Sequence, residues 1–359
     1  ASADGATALY AAPDADRVEA VAAALGERGV GDAGDPVVVD RDHGTDAPAL
    51  PAGVPGFVGP RRLLAGAGWR RPADPGDHAA AGGFVGDETG PEAVLAAADD
   101  LRGRGWGDWR RDEPVGPDWR ATRDRESNED PVVVVNAHGA DADALLVESV
   151  PFEPLEGADL AARAVGASEV VVYLSEADAA AVERARAAVE AYPDPAAPAR
   201  VVTGPPVYRA AEPTMALEAI EGADRLEARL RRPGALPTLQ GVPALVHSAR
   251  TLGHLALAVR EGDTDGDADR RESETTRLVT VAGDVDDPAT VELLESGSLA
   301  DALGGVDDEG MRAAAVGGRF GGLARSLDVG VDPDSLAAAD LGTDGRVEVL
   351  GEGRCVLAF

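Results

Sequence analysis

Four consecutive valines, Val132–Val135, constrain this chain more than any other segment. Successive strand side chains point to opposite faces, so an unbroken β-branched run suits a strand covered on both sides. Helices on both faces supply that cover, which is the construction of a mostly parallel α/β sheet. Neighbouring segments agree: Val170–Leu174 and Val201–Val202 read as further strands, with helical spacing over Leu160–Val165, Ala177–Ala191 and Pro213–Glu221. Pro213 opens the last helix and Gly222 closes it. Upstream, the spacing predicts a helix through Val94, Leu95 and Leu101, capped by Thr89.

The pattern divides the chain into four parts. Residues 1–75 hold a small βαβ-like unit (Thr7–Ala11, Arg17–Leu25, Val37–Val39) and a connection rich in proline and glycine. Residues 76–245 form the α/β core. Residues 246–332 begin with a helix, Thr251–Arg260, and continue after an acidic loop into short strands, a small α+β domain. Residues 333–359 are a tail with one strand, Val347–Leu350.

Charge then limits what this scaffold meets. Asp and Glu number 65 against 33 cations, a net charge of −32, and every cation is an arginine. Such a surface suits molar salt, where the Debye length falls to roughly 3 Å and like charges repel little. The composition points to a cytoplasmic protein of an extreme halophile. It argues against nucleic-acid or anionic-membrane surfaces, which need clustered positive charge. No apolar run approaches the roughly 18 residues of a membrane span, and the first residues lack signal-peptide features, so a soluble, unexported protein is expected. The single cysteine, Cys355, excludes an internal disulfide and a cysteine-ligated iron–sulfur cluster within the chain.

Several segments could carry chemistry. Leu101–Trp109 alternates glycine with Arg102, Arg104, Trp106 and Asp108; backbone this lean can approach a phosphate or flavin, or simply turn. Asn136-Ala137-His138-Gly139 follows the valines at the carboxyl end of a parallel strand, where open α/β sheets bind ligands. Glu212 and Thr214 precede or open a helix, so they face a ligand or cap that helix. Asp263–Asp269 with Glu274 imitates a calcium loop, but Ala268 stands where the sharp bend needs glycine, and the segment reads as a solvated acidic loop. His247, Ser248 and His254 lack a nucleophile-elbow pattern and read as packing residues. Trp106, Trp109 and Trp119 among arginines 104–125 suggest base stacking or a partner surface, and the overall charge favours the partner.

Taken in order, these pieces resemble the NADH-binding flavoprotein subunit of respiratory complex I and of NAD-linked hydrogenases and formate dehydrogenases. Leu101–Gly105 follows that family's L-R-G-R-G-G-A-G-F, and Val134–Ala137 its V-V-N-A-D-E strand end. Tyr208–Gly222 aligns without a gap to Y-I-C-G-E-E-T-A-L-I-E-S-L-E-G, keeping Tyr208, Glu212, Thr214, Glu218, Glu221 and Gly222. Pro243–Leu252 is similar to the family's P-T-x-V-N-N-V-E-T-L segment. Val281–Val285 with Pro288, and the glycine turn Gly317–Gly322, look like parts of its β-grasp domain. The resemblance implies a Rossmann-like flavoprotein core followed by a β-grasp domain. Its cofactor contacts, carried onto matching positions, are Gly103, Arg104, Gly105, Asn136, Tyr208, Glu212 and Thr214; no catalytic or metal-binding residue is assigned.

The departures fall where that family holds flavin mononucleotide (FMN) and NADH. Trp106 and Asp108 stand in the glycine loop, where the aspartate brings negative charge toward a phosphate, no lysine exists to hold that phosphate, and His138, Gly139, Pro213, His247 and Ser248 replace polar family residues. Cys355 resembles a cysteine preceding the family's cluster ligands, so no iron–sulfur cluster is expected. The expectation is a homologue with a degraded FMN/NADH site and no resident cofactor, a structural or docking subunit among the other subunits of an oxidoreductase assembly. The alternative is an active FMN-binding NADH:quinone oxidoreductase subunit that passes electrons to a partner chain.

Overall fold

Three sheets organise this computed structural model, which describes residues 2–3, 6–10, 15–25, 36, 38–40 and 59–356, apart from 88, 126–129, 140, 231–233, 263–274, 287, 304–309 and 319–320. The first sheet joins β1 (Ser2–Ala3), β2 (Ala6–Leu9) and β3 (Val38–Asp40), with α1 (Ala15–Leu25) between the last two. The strand–helix–strand order is the expected one. However, β2 and β3 pair antiparallel, so the unit is not a parallel crossover.

The core follows: α2 (Pro75–Ala80), α3 (Pro91–Asp100), α4 (Gly116–Arg123), β4 (Val132–Asn136), α5 (Asp141–Ser149), α6 (Phe152–Val165), β5 (Glu169–Ser175), α7 (Ala179–Ala191), β6 (Ala199–Gly204), α8 (Pro213–Ile220), β7 (Thr238–Leu239), β8 (Val242–Ser248) and α9 (Ala249–Glu261). Its sheet has the order β6-β5-β4-β8-β7, parallel except for β7. The valines of β4 explain the placement. Val133 and Val135 pack with α3, α4, α6, α7 and α9 on one face, while Val132 and Val134 pack with α8 and Leu239 on the other. Each fully buried valine contributes about 1.5–3 kcal/mol, so this strand alone fixes a two-sided core. Helix α6 is buried nearly all round, and Gly157 is required there because a Cβ would overlap the Leu252 carbonyl of α9. Thr89 does not cap α3: Gly90 holds the cap position without a side-chain bond, and the Thr89 hydroxyl donates to the Val85 carbonyl at 3.0 Å.

The third sheet contains β9 (Thr276–Gly283), β10 (Ala289–Leu294), β11 (Met311–Val316), β12 (Gly322–Ala324) and, after α10 (Pro333–Ala338), β13 (Arg346–Gly351). Its order is β10-β9-β13-β11-β12, with β9 and β13 parallel at the centre and the outer pairs antiparallel, a β-grasp arrangement. The strand expected in a tail is therefore central to this sheet, and a division at 332 cuts through it. A division at 245 likewise cuts β8, whose chain runs straight into α9 on the core. Pairing of strands some sixty residues apart leaves no local mark on β13, which explains the first of these differences.

Buried charge joins the units. Glu292 of β10 accepts the backbone N–H groups of Arg62, Leu63 and Leu64 at 2.9–3.0 Å. Arg277 of β9 pairs with Asp112 and Glu295, and Arg250 of α9 donates to the Asp344 carbonyl at 2.8 Å.

Candidate functional site

In the core sheet the winding reverses between β4 and β8, and open α/β sheets bind ligands at the carboxyl ends of strands at such a point. Here the chain's own glycine loop lies in that crevice. Trp109 N–H donates to the Val246 carbonyl at 3.0 Å, and the Asn136 amide donates to the carbonyls of Gly107 and Ala211 at 3.2 and 2.9 Å. Asn136 thereby ties together the loop, the end of β4 and the turn before α8.

The glycines are needed for close approach to protein. A Cβ on Gly103 would overlap the Arg110 carbonyl, one on Gly105 would lie 2.7 Å from the Ser248 Cβ, and one on Gly107 2.9 Å from the Asn136 amide. All three positions are closed from the side a Cβ would take.

Asp108 organises this closure. It is 1% exposed, and its carboxylate accepts from Arg104 N–H (2.9 Å), Gly105 N–H (2.7 Å), Ser248 N–H (3.0 Å), the hydroxyls of Ser248 (2.8 Å) and Thr251 (2.9 Å), and His247 Nδ1 (3.3 Å). Burial alone would raise its pKa, but the bonds from His247, Gly105 and Ser248 outweigh burial and hold it below the usual carboxylate range. The expected charge presented toward a bound phosphate is therefore turned inward. The Trp119 indole N–H donates to His247 Nε2 at 2.8 Å, which places the imidazole proton on Nδ1, facing Asp108. Ser248 donates to Asp108 and not to His247, so these three residues form no nucleophilic relay. The hydroxyl spacing Ser248-x-x-Thr251 before an apolar helix was a legible cap signal; its use by a loop some 140 residues upstream was not.

The remaining expected residues gather round this loop with their side chains engaged. Tyr208 stacks on Trp106 (centroids 5.5 Å, 21°) and donates to Asp344 at 3.2 Å, while the Arg111 guanidinium lies over the Trp106 ring at 5.2 Å. Glu212 caps α8, accepting from Thr214 N–H and Met215 N–H at 2.9 and 3.1 Å, and also bonds the Thr214 hydroxyl. The Arg104 guanidinium turns to the third sheet, donating to the Thr276 carbonyl at 2.9 Å and Glu295 at 2.7 Å. His138 Nε2 donates to the Pro205 carbonyl at 2.9 Å and its ring stacks on Tyr173. Beside the loop opens a cleft of about 380 Å³, with Trp106, Trp109, Arg111, Glu212 and Pro213 in its walls.

One other reading changes. Trp119, expected at a partner surface, is fully buried in the core against His247. The arginines around it are paired within the chain: Arg110 with Asp118 and Glu113, Arg120 with Asp99, Arg123 with Glu92. A buried cluster outside the expected site, His78 with Glu153 and Glu156, has the spacing of metal ligands. There, Arg260 pairs with Glu153 and lies 3.6 Å from Glu156, and Arg70 lies 3.8 Å from Glu153. The two guanidiniums already balance the two carboxylates, so a divalent cation would add uncompensated buried charge. The calcium-like segment 263–274 lies outside the described residues. Among the described residues no helix is long and apolar enough to cross a membrane.

Buried histidines give the molecule an acid limit. Burial holds the His254 imidazole well below its ordinary value, reinforced by Arg104 and Arg62; burial also lowers His78 and His138. The unfolded chain takes up these protons first, so their contribution is full above about pH 6.5 and is lost as pH falls through the lower folded values. Thermal unfolding at constant molar KCl is expected to show a melting temperature that declines from about pH 6.5 downward. A flat profile to pH 5 would contradict it, and His254→Gln should reduce the slope.

A Rossmann-order parallel sheet with a glycine loop at its reversal point, joined to a β-grasp sheet, defines the class as flavoprotein-like. Residues 100–256 match the family described as the Nuo51 FMN-binding domain. An NAD+-reducing NiFe hydrogenase in its H2-reduced state is similar at 26% identity and a TM-score of 0.60, over 75% of this chain and 50% of that one. The air-oxidised hydrogenase is similar at 27% identity and a TM-score of 0.56, over 74% and 47%. Over these residues the chain is similar to the 51K-type flavoproteins of complex I and hydrogenases. It spans about half the length of these hydrogenase chains.

Proposed function

We propose that this chain is a flavoprotein-subunit homologue whose FMN/NADH site is degraded, and that it serves as a structural or docking subunit of an oxidoreductase assembly. One observation carries this reading: the crevice at the reversal point holds the chain's own loop, whose Arg104 and Gly105 amides are bonded to Asp108. A flavin phosphate seeks such amides, and here a carboxylate lies among them. Trp106, in contact with Tyr208 and Arg111, adds a ring where the family has glycine. The residues present therefore do not fit FMN. The partners are taken to be other subunits of the assembly, by analogy with the hydrogenase.

The persistence of Asn136, Tyr208, Glu212 and Thr214 around a cleft favours the second reading, an active FMN-binding subunit. Absorbance separates the two. Protein purified in molar KCl and equilibrated with excess FMN, then desalted at constant salt, is expected to show no flavin bands. Stoichiometric retained flavin would establish the second reading.

A further inference from the structure

The Asp108 carboxylate lies in surroundings that would suit a free anion. Two donors are consecutive amides of the glycine loop, Arg104 and Gly105. Three more come from the start of α9: the Ser248 amide and the hydroxyls of Ser248 and Thr251. Helix α9 is 13 residues long, so its first turn carries the full partial positive charge of a helix N-terminus. His247 Nδ1 supplies the sixth donor. The buried guanidiniums of Arg104 and Arg250 also feel the Asp108 charge, and Arg250 Nη2 would lie 2.9 Å from a Cβ on Gly105. A lone helix cap needs one acceptor; six converging donors and two flanking cations are the equipment of an oxyanion pocket.

We propose that Asp108 is a built-in ligand: the glycine loop and the N-terminus of α9 form a small-oxyanion pocket occupied by the chain's own carboxylate. Tethering gives this carboxylate an effective concentration that a free anion cannot match at ordinary levels, so the native protein is closed to phosphate and carboxylate ligands at this point. Removing the side chain turns the same donors into a binding site for a carboxylate or phosphate. The inference rests on the reading that the loop no longer holds a flavin, but it has its own test.

In that test Asp108→Ala and the native protein are melted in molar KCl while potassium acetate replaces KCl at constant total salt, and again with inorganic phosphate. Asp108→Ala is expected to melt lower than the native protein and to regain about 2 °C at acetate tenfold above its Kd, saturably, with no saturable gain in the native protein. A flat response of the variant to both anions, or equal responses of variant and native protein, would overturn the proposal. Should Asp108→Ala be unfolded in KCl, refolding in acetate or phosphate becomes the reading, and failure to refold in either is the overturning result. Flavin in the native protein would instead refute the preceding reading, and a flat acetate response in flavin-free protein refutes this one alone.

Discussion

Replacing Trp119 with alanine is expected to cost about 3–5 kcal/mol, enough to unfold much of the protein at moderate temperature. The side chain is fully buried among α3, β4, β8 and α6, and its N–H is the donor that sets the His247 tautomer. Truncation leaves both a cavity and an imidazole lone pair without a donor. Trp119→Phe separates the two effects: it keeps most of the volume and loses the bond, so about 1–3 kcal/mol is expected. Thermal denaturation followed by circular dichroism in molar KCl measures both. A Trp119→Ala protein as stable as the native one would contradict the burial and restore the partner-surface reading of residues 104–125.

Breaking the Asp143–Arg250 pair is expected to be comparably severe. Arg250 donates from Nε and Nη2 to the two carboxylate oxygens at 3.1 and 2.9 Å, and its backbone N–H adds a third bond at 2.9 Å. Both side chains are almost fully buried. Asp143→Ala would strand a guanidinium in the interior, at about 3–5 kcal/mol, whereas an apolar pair of similar volume, Asp143→Leu with Arg250→Met, is expected to recover most of the loss. Arg250 also holds the Asp344 carbonyl, so the single change should loosen the β-grasp sheet from the core. A double-mutant cycle by denaturant unfolding gives the coupling, and a coupling near zero would show the pair to be incidental.

Much of the architecture was readable because its causes are local. The valine run required a strand covered on two faces, and Pro213 and Gly222 punctuated α8 as helix ends do. Glu212 and Thr214 left a ligand and a cap equally open; the cap is formed, because the Glu212 carboxylate reaches the amides of its own first turn. The side-chain partners of Arg104 were hidden for a different reason. Its side chain reaches the third sheet, and a partner at Glu295 leaves no trace in a nine-residue motif. Trp119 looked like part of an exposed aromatic and basic stretch because α4 places its arginines toward the outside while Trp119 and Thr122 turn inward.

Composition and periodicity determined that this chain builds a parallel α/β core followed by a second, α+β unit, and that it carries no lysine to meet a phosphate. Only the tertiary structure decided where the Asp108 charge lies. A motif records which residues are present, but six donors converge on one carboxylate only when β8 and α9 are folded against a loop some 140 residues upstream. That convergence reverses the meaning of the aspartate, from a charge opposing an outside phosphate to the acceptor that closes its own loop.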